Sequence, residues 1–313
     1  MRNISDCDHL FPLGALSMFT VVLHYILLVV GLPSNCLAIY GLFQLVKADY
    51  VMPVYAINLL IADLIQVTMT PILIGRYTSK QICTWDAVHL VDGAIFNICV
   101  CASIGFLVCI ALERYLIVAH PLWYRCRRSL RHTRLVSLAT WVVSILVVSI
   151  KSSLENMKPA AGQVFHVVYL LTLFPVPLVL LVFSYVGSGR ALCGPSALTA
   201  TEKRRIRHTL ALVLFIFAGI FGPHFLLYLV IDTFKFMEEN IPQGLLDCQE
   251  IALNIRCLNP LLDPFLYMFL RYDFRSARDF VPCCWSFVRV RGCCRRASAA
   301  QGDTGIETVQ SPD

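Results

Sequence analysis

Two arginines lie where their surroundings offer no water. Arg114 stands in Ala111-Leu112-Glu113-Arg114-Tyr115, at the close of an apolar run that begins near Val88, and Arg256 sits deep inside another apolar stretch, 246–270. A guanidinium stays charged in any protein, so within a lipid-like segment it must be bound by the protein, a ligand or a partner. For Arg114, at a boundary followed within a dozen positions by basic loop residues, that points to a switch or docking residue and hence to signalling. For Arg256 two kinds of partner fit. One is the carboxylate or phosphate of a ligand, which guanidinium binds in bidentate fashion; the other is an internal ion pair with Asp92 or Glu250. His9, His24, His89, His166 and His224 gather in the same half of the apolar segments. Imidazole titrates near physiological pH, so protons are a further candidate ligand, although scattered surface histidines more often sense nothing. No nucleophile–base pair, zinc-ligand spacing or Gly-rich phosphate loop occurs in the exposed segments, which argues against an enzyme.

These charges need elements to hold them, and the composition says what kind. Hydrophobic residues make up 58% of the 313, and the mean hydropathy is +0.69. Seven apolar segments recur, over 17–43, 51–75, 86–118, 133–151, 165–192, 202–232 and 246–270, each near the length that crosses about 30 Å of hydrocarbon. Lipid satisfies no backbone polar group, so each must be a helix unless the chain forms a barrel, and no barrel-like alternation is present. The first segment is too long for a cleaved signal peptide, and only Arg2 precedes it, so it is expected to remain as a span. With the N-terminus outside, the inner connections and tail carry 18 Lys and Arg residues, from Lys47 through Arg125–Arg134 and Arg190–Arg207 to Arg271–Arg296. Six lie on the other face: Arg2, Arg76, Lys80, Lys151, Lys158 and Lys235. That bias sets the N-terminus outside and the C-terminus in the cytoplasm. The net charge of +6 is thereby explained by topology and anionic inner-leaflet lipid, with no nucleic-acid partner needed.

In order, the segments hold Gly31-Leu32-Pro33-Ser34-Asn35, Asn58-Leu59-Leu60-Ile61-Ala62-Asp63-Leu64, Glu113-Arg114-Tyr115 followed by Ala119-His120-Pro121-Leu122, a lone Trp141, Pro177 with Tyr185, Phe217 with Pro223, and Asp263-Pro264-Phe265-Leu266-Tyr267. One such motif is weak, but seven in the right spans and order are specific, and nearly the whole chain resembles a rhodopsin-like (class A) G-protein-coupled receptor. Asp8-His9-Leu10-Phe11-Pro12, the Asp-Pro form of the seventh-helix motif and Asp247-Cys248 are most similar to the branch of proton-sensing, purinergic-nucleotide and lysolipid receptors. The resemblance implies an all-α membrane protein: an extracellular tail over 1–16, a seven-transmembrane bundle over 17–270, a short amphipathic helix eight and basic Cys-rich segment over 271–296, and a disordered tail over 297–313.

It also implies roles. Glu113, Arg114, Tyr115, Leu122, Tyr185, Phe217, Phe221, Pro223, Asp263, Pro264 and Tyr267 form the coupling machinery towards a heterotrimeric G-protein and arrestin. Arg114 pairs with Glu113 at rest and is released on activation, while Pro223, lacking an N–H, kinks helix six so that its inner half can swing. Asp63, Ser103, Asn259 and Asp263 match a mid-bundle sodium site, the one cofactor expected, or else a hydrogen-bond knot. Two carboxylates in one low-dielectric site need a cation or a shared proton. Phe96, Asn97, His166, Tyr169, His224, Phe225, Tyr228 and Arg256 line the pocket for an unknown extracellular ligand.

Departures from the family are as informative. His89 stands where a cysteine is usual and the second outer loop, about 152–165, has none, so the common disulfide cannot form; Cys7 with Cys248 is the favoured substitute, the other possibility being free thiols. Phe221 replaces a tryptophan, Lys203 replaces an acid on helix six and so removes a lock to helix three, and Phe96 replaces the counter-ion of amine receptors. No lysine in 246–270 means no retinal Schiff base. Asn3-Ile4-Ser5 is a glycosylation sequon, and Cys283 and Cys284 suit palmitoylation if they are not simply reduced thiols. A transporter lacks support because no internal repeats or paired broken helices show. A receptor-like protein that binds a ligand or partner without G-protein coupling is the remaining alternative.

Overall fold

The computed structural model describes residues 15–47, 54–78, 86–127, 130–157, 159–193, 199–237 and 240–266, and all regular structure among them is helical. The chain opens with α1 (Ala15–Ile26), a π-helical turn (Leu27–Gly31) and α2 (Leu32–Lys47), which together make one span. Then come α3 (Val54–Thr78), α4 (Asp86–Ala119), the short α5 (Pro121–Arg127), α6 (Leu130–Met157), α7 (Pro159–Leu173), α8 (Pro175–Cys193), α9 (Ala200–Phe236) and α10 (Gln243–Arg256). Residues 259–266 are helical again after a turn at Cys257 and Leu258. Among the described residues six stretches are long and apolar enough to cross a membrane: Leu16–Gln44, Val54–Gly75, Val91–Ala119, Leu130–Glu155, Ala161–Leu192 and Glu202–Phe236. The seventh is α10 with 259–266, and it escapes that test because the turn cuts it into two short pieces. The result is the expected all-α, seven-helix bundle.

Prolines explain where the helices deviate. Pro33 offers no N–H to the carbonyl of Val29, and the helix widens into its π turn just before it. Pro175 and Pro177 do the same to the fifth span, which turns at Phe174 between α7 and α8. Pro260 cannot donate to the carbonyl of Arg256, where α10 ends. Side chains take over some freed carbonyls: Ser34 Oγ and Asn35 Nδ2 donate to Gly31 O at 3.0 and 2.9 Å, and Asn35 Nδ2 also donates to Pro260 O at 2.7 Å. Asn35 thereby ties the first span to the seventh. At the other end of the helix scale, α9 carries Pro223 without a break and opens on a capping box between Thr199 and Glu202.

The core is centred on α4, which packs against α3, α5, α6, α8 and α9. Its Phe106 and Leu107 are fully buried with Leu42, Leu59, Leu60, Leu181, Val213 and Phe217 from the surrounding helices. Large apolar side chains such as Val29, Leu37, Val179 and Phe215 point outward instead, as lipid-facing residues must. Trp141 of α6 docks on this core by donating Nε1–H to Asn58 Oδ1 at 3.0 Å and setting its ring edge-on to Phe106.

The connection between the fourth and fifth spans differs from expectation. Instead of a loop over about 152–165, α6 runs to Met157 and α7 starts at Pro159. Gly162 makes the sharp turn possible: a Cβ there would lie 2.8 Å from Glu155 Cα and 2.9 Å from Glu155 N, so only hydrogen fits between the two backbones. The polar residues Ser152, Ser153 and Glu155, expected in a loop, belong to the end of a helix, and Lys151 pairs with Glu155 one turn on at 2.9 Å.

Candidate functional site

Arg256 is the last residue of α10, held there by the turn that Pro260 enforces. Its Nη1–H groups reach Asn97 Oδ1 of α4 at 3.4 Å and His224 Nε2 of α9 at 3.3 Å, and its guanidinium lies 5.0 Å from the centre of the Phe96 ring. Asn97 is aimed by its own helix, donating Nδ2–H to Gly93 O at 2.8 Å, so its oxygen is left for the arginine. Because Nε2 of His224 accepts from a guanidinium, Nδ1 is the nitrogen that carries the hydrogen. Neither Asp92 nor Glu250 lies within ion-pair distance of Arg256, which corrects the internal ion pair considered from the sequence. Geometry explains the miss: Glu250 faces the first span, where Thr20 Oγ1 donates to it at 3.4 Å and Asn254 Nδ2 donates to Thr20 at 2.8 Å. Beside this network His24 donates Nδ1–H to Thr20 O at 2.7 Å, and its Nε2 borders a cavity of about 10 Å³, shared with Gln66, Phe96 and Cys257, that fits one water.

The other expected pocket residues divide into two groups. His224 stacks obliquely on Tyr228 at 4.4 Å, and Tyr228 meets His166 of α7 edge-on at 5.4 Å. His166 Nδ1 lies 2.8 Å from Asp232 Oδ2, and Lys235 Nζ lies 3.4 Å from Asp232 Oδ1, so a buried carboxylate joins α7 to α9. Asp232 is a residue the sequence reading missed; its place at the polar end of an apolar run gave no hint of the partner. Tyr169 and Phe225 pack with Leu170 in a cluster that Tyr228 also touches, and Tyr169 stacks on His166 at 6.5 Å.

Below the cleft the aromatic residues continue as a column. Phe174, at the break in the fifth span, stacks on Phe217 (5.4 Å, 12°) and on Phe225 (4.7 Å, 21°), and Phe217 tilts against Phe221 at 5.2 Å. Phe217 and Phe225 lie on either side of Pro223, so Phe174 clamps the one proline-bearing stretch of α9. Phe174 was also missed, and its signal was available: a bulky residue directly before a Pro-x-Pro sequence. Deeper still, Asp63, Ser103, Asn259 and Asp263 are all buried, at most 1% exposed. Asn259 Nδ2 donates to Asp263 Oδ2 at 2.7 Å, and the carboxyl groups of Asp63 and Asp263 act on each other, with Ser103 beside Asp63. The four oxygen-bearing groups expected to meet do meet, and the thiol of Cys99 borders them through Asp63.

At the far end Arg114 is buried in α4, and Glu113 accepts the hydroxyl of Tyr124 from α5. Tyr115 lies edge-on to Phe183 at 5.0 Å and to His120 at 6.1 Å. Its ring rests on Gly187 of α8, whose missing Cβ would be 2.6 Å from Cε2. Leu122 is 80% exposed on α5 with Trp123 beside it, and Phe221 is buried as expected. Lys203 Nζ donates to Leu192 O at 3.0 Å and so caps the end of α8. Pro264 is buried and Tyr185 packs against the core. Cys248, the described end of the Cys7–Cys248 bridge expected from the resemblance, is exposed on α10. It points outward from α10, where closing a bridge would require a second Cα within about 7 Å. Cys7 itself, Asn3, Tyr267, Cys283, Cys284, helix eight and the tail lie outside the described residues.

The comparisons agree with this geometry. The family described as "7 transmembrane receptor (rhodopsin family)" matches residues 34–267. "G-protein coupled receptor 68" of Homo sapiens is 28% identical over 291 residues, covering 87% of this chain and 76% of that protein. "Proteinase-activated receptor 2" of Rattus norvegicus is 27% identical over 292 residues, 85% of this chain and 72% of that protein. "Lysophosphatidic acid receptor 6" of Homo sapiens is 26% identical over 265 residues, 77% of each.

Proposed function

Because the chain belongs to the rhodopsin family of seven-transmembrane receptors, and is therefore a multi-pass membrane receptor and not an enzyme, we propose that it is a plasma-membrane receptor for an anionic extracellular ligand that activates heterotrimeric G-proteins. The observation that carries this reading is Arg256: a guanidinium in the cleft between α4, α9 and α10 whose contacts are an amide, an imidazole and an aromatic ring. An anion there pulls on His224, one residue beyond Pro223, and so acts on the helix that must swing. The column of Phe174, Phe217, Phe221 and Phe225 then repacks, and the Arg114 end opens to the G-protein, with exposed Leu122 as an apolar plug. Asp63 and Asp263 share a sodium ion or a proton in the resting state. The positive-inside bias supports an extracellular N-terminus with glycosylated Asn3 and a cytoplasmic tail that is palmitoylated at Cys283 and Cys284 and recruits arrestin. One relative is named for lysophosphatidic acid, itself an anion, and another for proteinase activation, so names alone do not choose the ligand.

The test is nucleotide exchange by purified G-protein with receptor in lipid. Arg114→Ala is expected to abolish exchange while leaving surface expression within about two-fold of the parent. Undiminished exchange by that variant removes the coupling role and leaves a receptor that binds without coupling. A second reading rests on the His166–Asp232 contact: protons as ligand. Lys151 and Glu155 of α6 and Lys235 of α9 also act on this pair. Protonating His166 makes the α7–α9 contact charge-assisted. His166→Phe should then flatten the dependence of exchange on pH; an unchanged profile rejects this reading.

A further inference from the structure

We propose that the ligand held by Arg256 is a monocarboxylate with an apolar body, rather than a phosphate ester or a nucleotide. The proposal rests on the anion reading above and narrows it by charge, shape and donor supply.

Charge comes first. Lys151, Lys235 and Arg256 are the cations in that half of the bundle whose side chains are described. Lys151 lies 2.9 Å from Glu155 and Lys235 lies 3.4 Å from Asp232, whereas Arg256 meets no carboxylate. The charged or chargeable groups that act on the neighbouring His224 are Arg256, His166 and Lys151, with no acid among them. His224 itself is held neutral in its role as acceptor from the guanidinium, and protonating it would break that bond. Among the described side chains the cleft therefore presents one elementary charge to be matched. A phosphate monoester brings roughly 1.5 to 2 negative charges at neutral pH, and a nucleotide more, so each would leave excess charge buried among aromatic rings.

Donor supply agrees. Arg256 uses Nη1 for Asn97 and His224, while its Nε–H has no partner. His224 Nδ1–H is likewise without one. The edge formed by Nε and Nη2 is the side-on face that two oxygens of a planar carboxylate fit. Arg256 Nε and His224 Nδ1 are shielded from water, so a head group whose further oxygens need solvent or additional donors is disfavoured. Next to this point the Phe96 ring, 5.0 Å from the guanidinium, supplies apolar surface, which a hydrocarbon or aryl body covers and a ribose does not.

The experiment uses the full chain in lipid nanodiscs, titrated with octanoate, octyl phosphate and octan-1-ol, with binding read as the shift in thermal midpoint. Octanoate is expected to saturate the shift at a concentration at least ten-fold below that of octyl phosphate. Arg256→Gln should weaken octanoate at least 30-fold and leave octan-1-ol unchanged; Arg256→Lys, which keeps the charge without the two-pronged edge, should fall between and serves as the readout if the glutamine variant does not fold. Octyl phosphate binding as tightly as octanoate, with both still dependent on Arg256, overturns the monocarboxylate and leaves the anion site standing. Failure of octanoate to bind at millimolar concentration also overturns it. Anion binding that is indifferent to Arg256 overturns both readings.

Discussion

A charge in an apolar run announces itself, and for that reason Arg114, Arg256, Asp63 and Asp263 were legible as sites before any geometry was known. What sequence did not reveal was the partner of each. Asp92 and Glu250 were reasonable counter-ions for Arg256 by location, yet Glu250 turns to Thr20, and Asn97 and His224 take its place. Asp232, Tyr124 and Phe174 were missed for the same reason, since contacts between spans are set by rotation of each helix about its axis, which a pattern of apolar residues fixes only coarsely. The Asp63 and Asp263 pair makes a residue-scale prediction. Two buried carboxylates that act on each other are relieved by making one of them an amide. Asp63→Asn and Asp263→Asn should therefore each abolish the dependence of basal exchange on sodium, measured in sodium against choline chloride at equal ionic strength. Retention of the parent's sodium response by both variants would mark the cluster as purely structural.

At the scale of elements, the apolar segments gave the seven helices, and Pro33, Pro175, Pro177 and Pro260 stand next to the places where they widen or break. The ends were less readable. A polar run after an apolar one means loop or exposed helix end with equal force, and Lys151–Met157 proved to be helix because Gly162 lets α7 turn back at once. Glycine contacts supply two predictions. Gly162→Ala, pressed against backbone that cannot yield, should cost about 1–3 kcal/mol, the usual range for overpacking, and lower the thermal midpoint. In α8, Gly187→Ala would drive its methyl into Tyr115, whereas a methyl on Gly189 meets nothing within 4 Å. Gly189→Ala should therefore be neutral or stabilising by up to about 1 kcal/mol through helix propensity, and Gly187→Ala destabilising. Equal midpoints for this pair would show that Tyr115 does not rest on α8 as described. Phe174 is a further element-scale case, since it links the broken fifth span to both sides of Pro223. Phe174→Ala should lower stability by about 3–5 kcal/mol if the column is rigid, as for other buried aromatics, and should change basal exchange as well.

For the molecule as a whole, class and architecture were legible because a bilayer permits so few solutions, and the order of motifs narrowed them to one family. The outer face was less so, because its form depends on connections that vary independently of the bundle: the expected loop between the fourth and fifth spans is not a loop. The abrupt return from α6 into α7 has a consequence for time rather than for energy. With α6 ending at Met157 and α7 starting at Pro159, the helices themselves border this side of the cleft. If ligand enters past these helix ends, association should rise in proportion to concentration without reaching a plateau set by gating, as stopped-flow binding would show. Exit is equally unobstructed, and a ligand held mainly by one guanidinium should leave quickly. The signal of such a receptor follows the momentary concentration of its ligand rather than storing a record of past exposure.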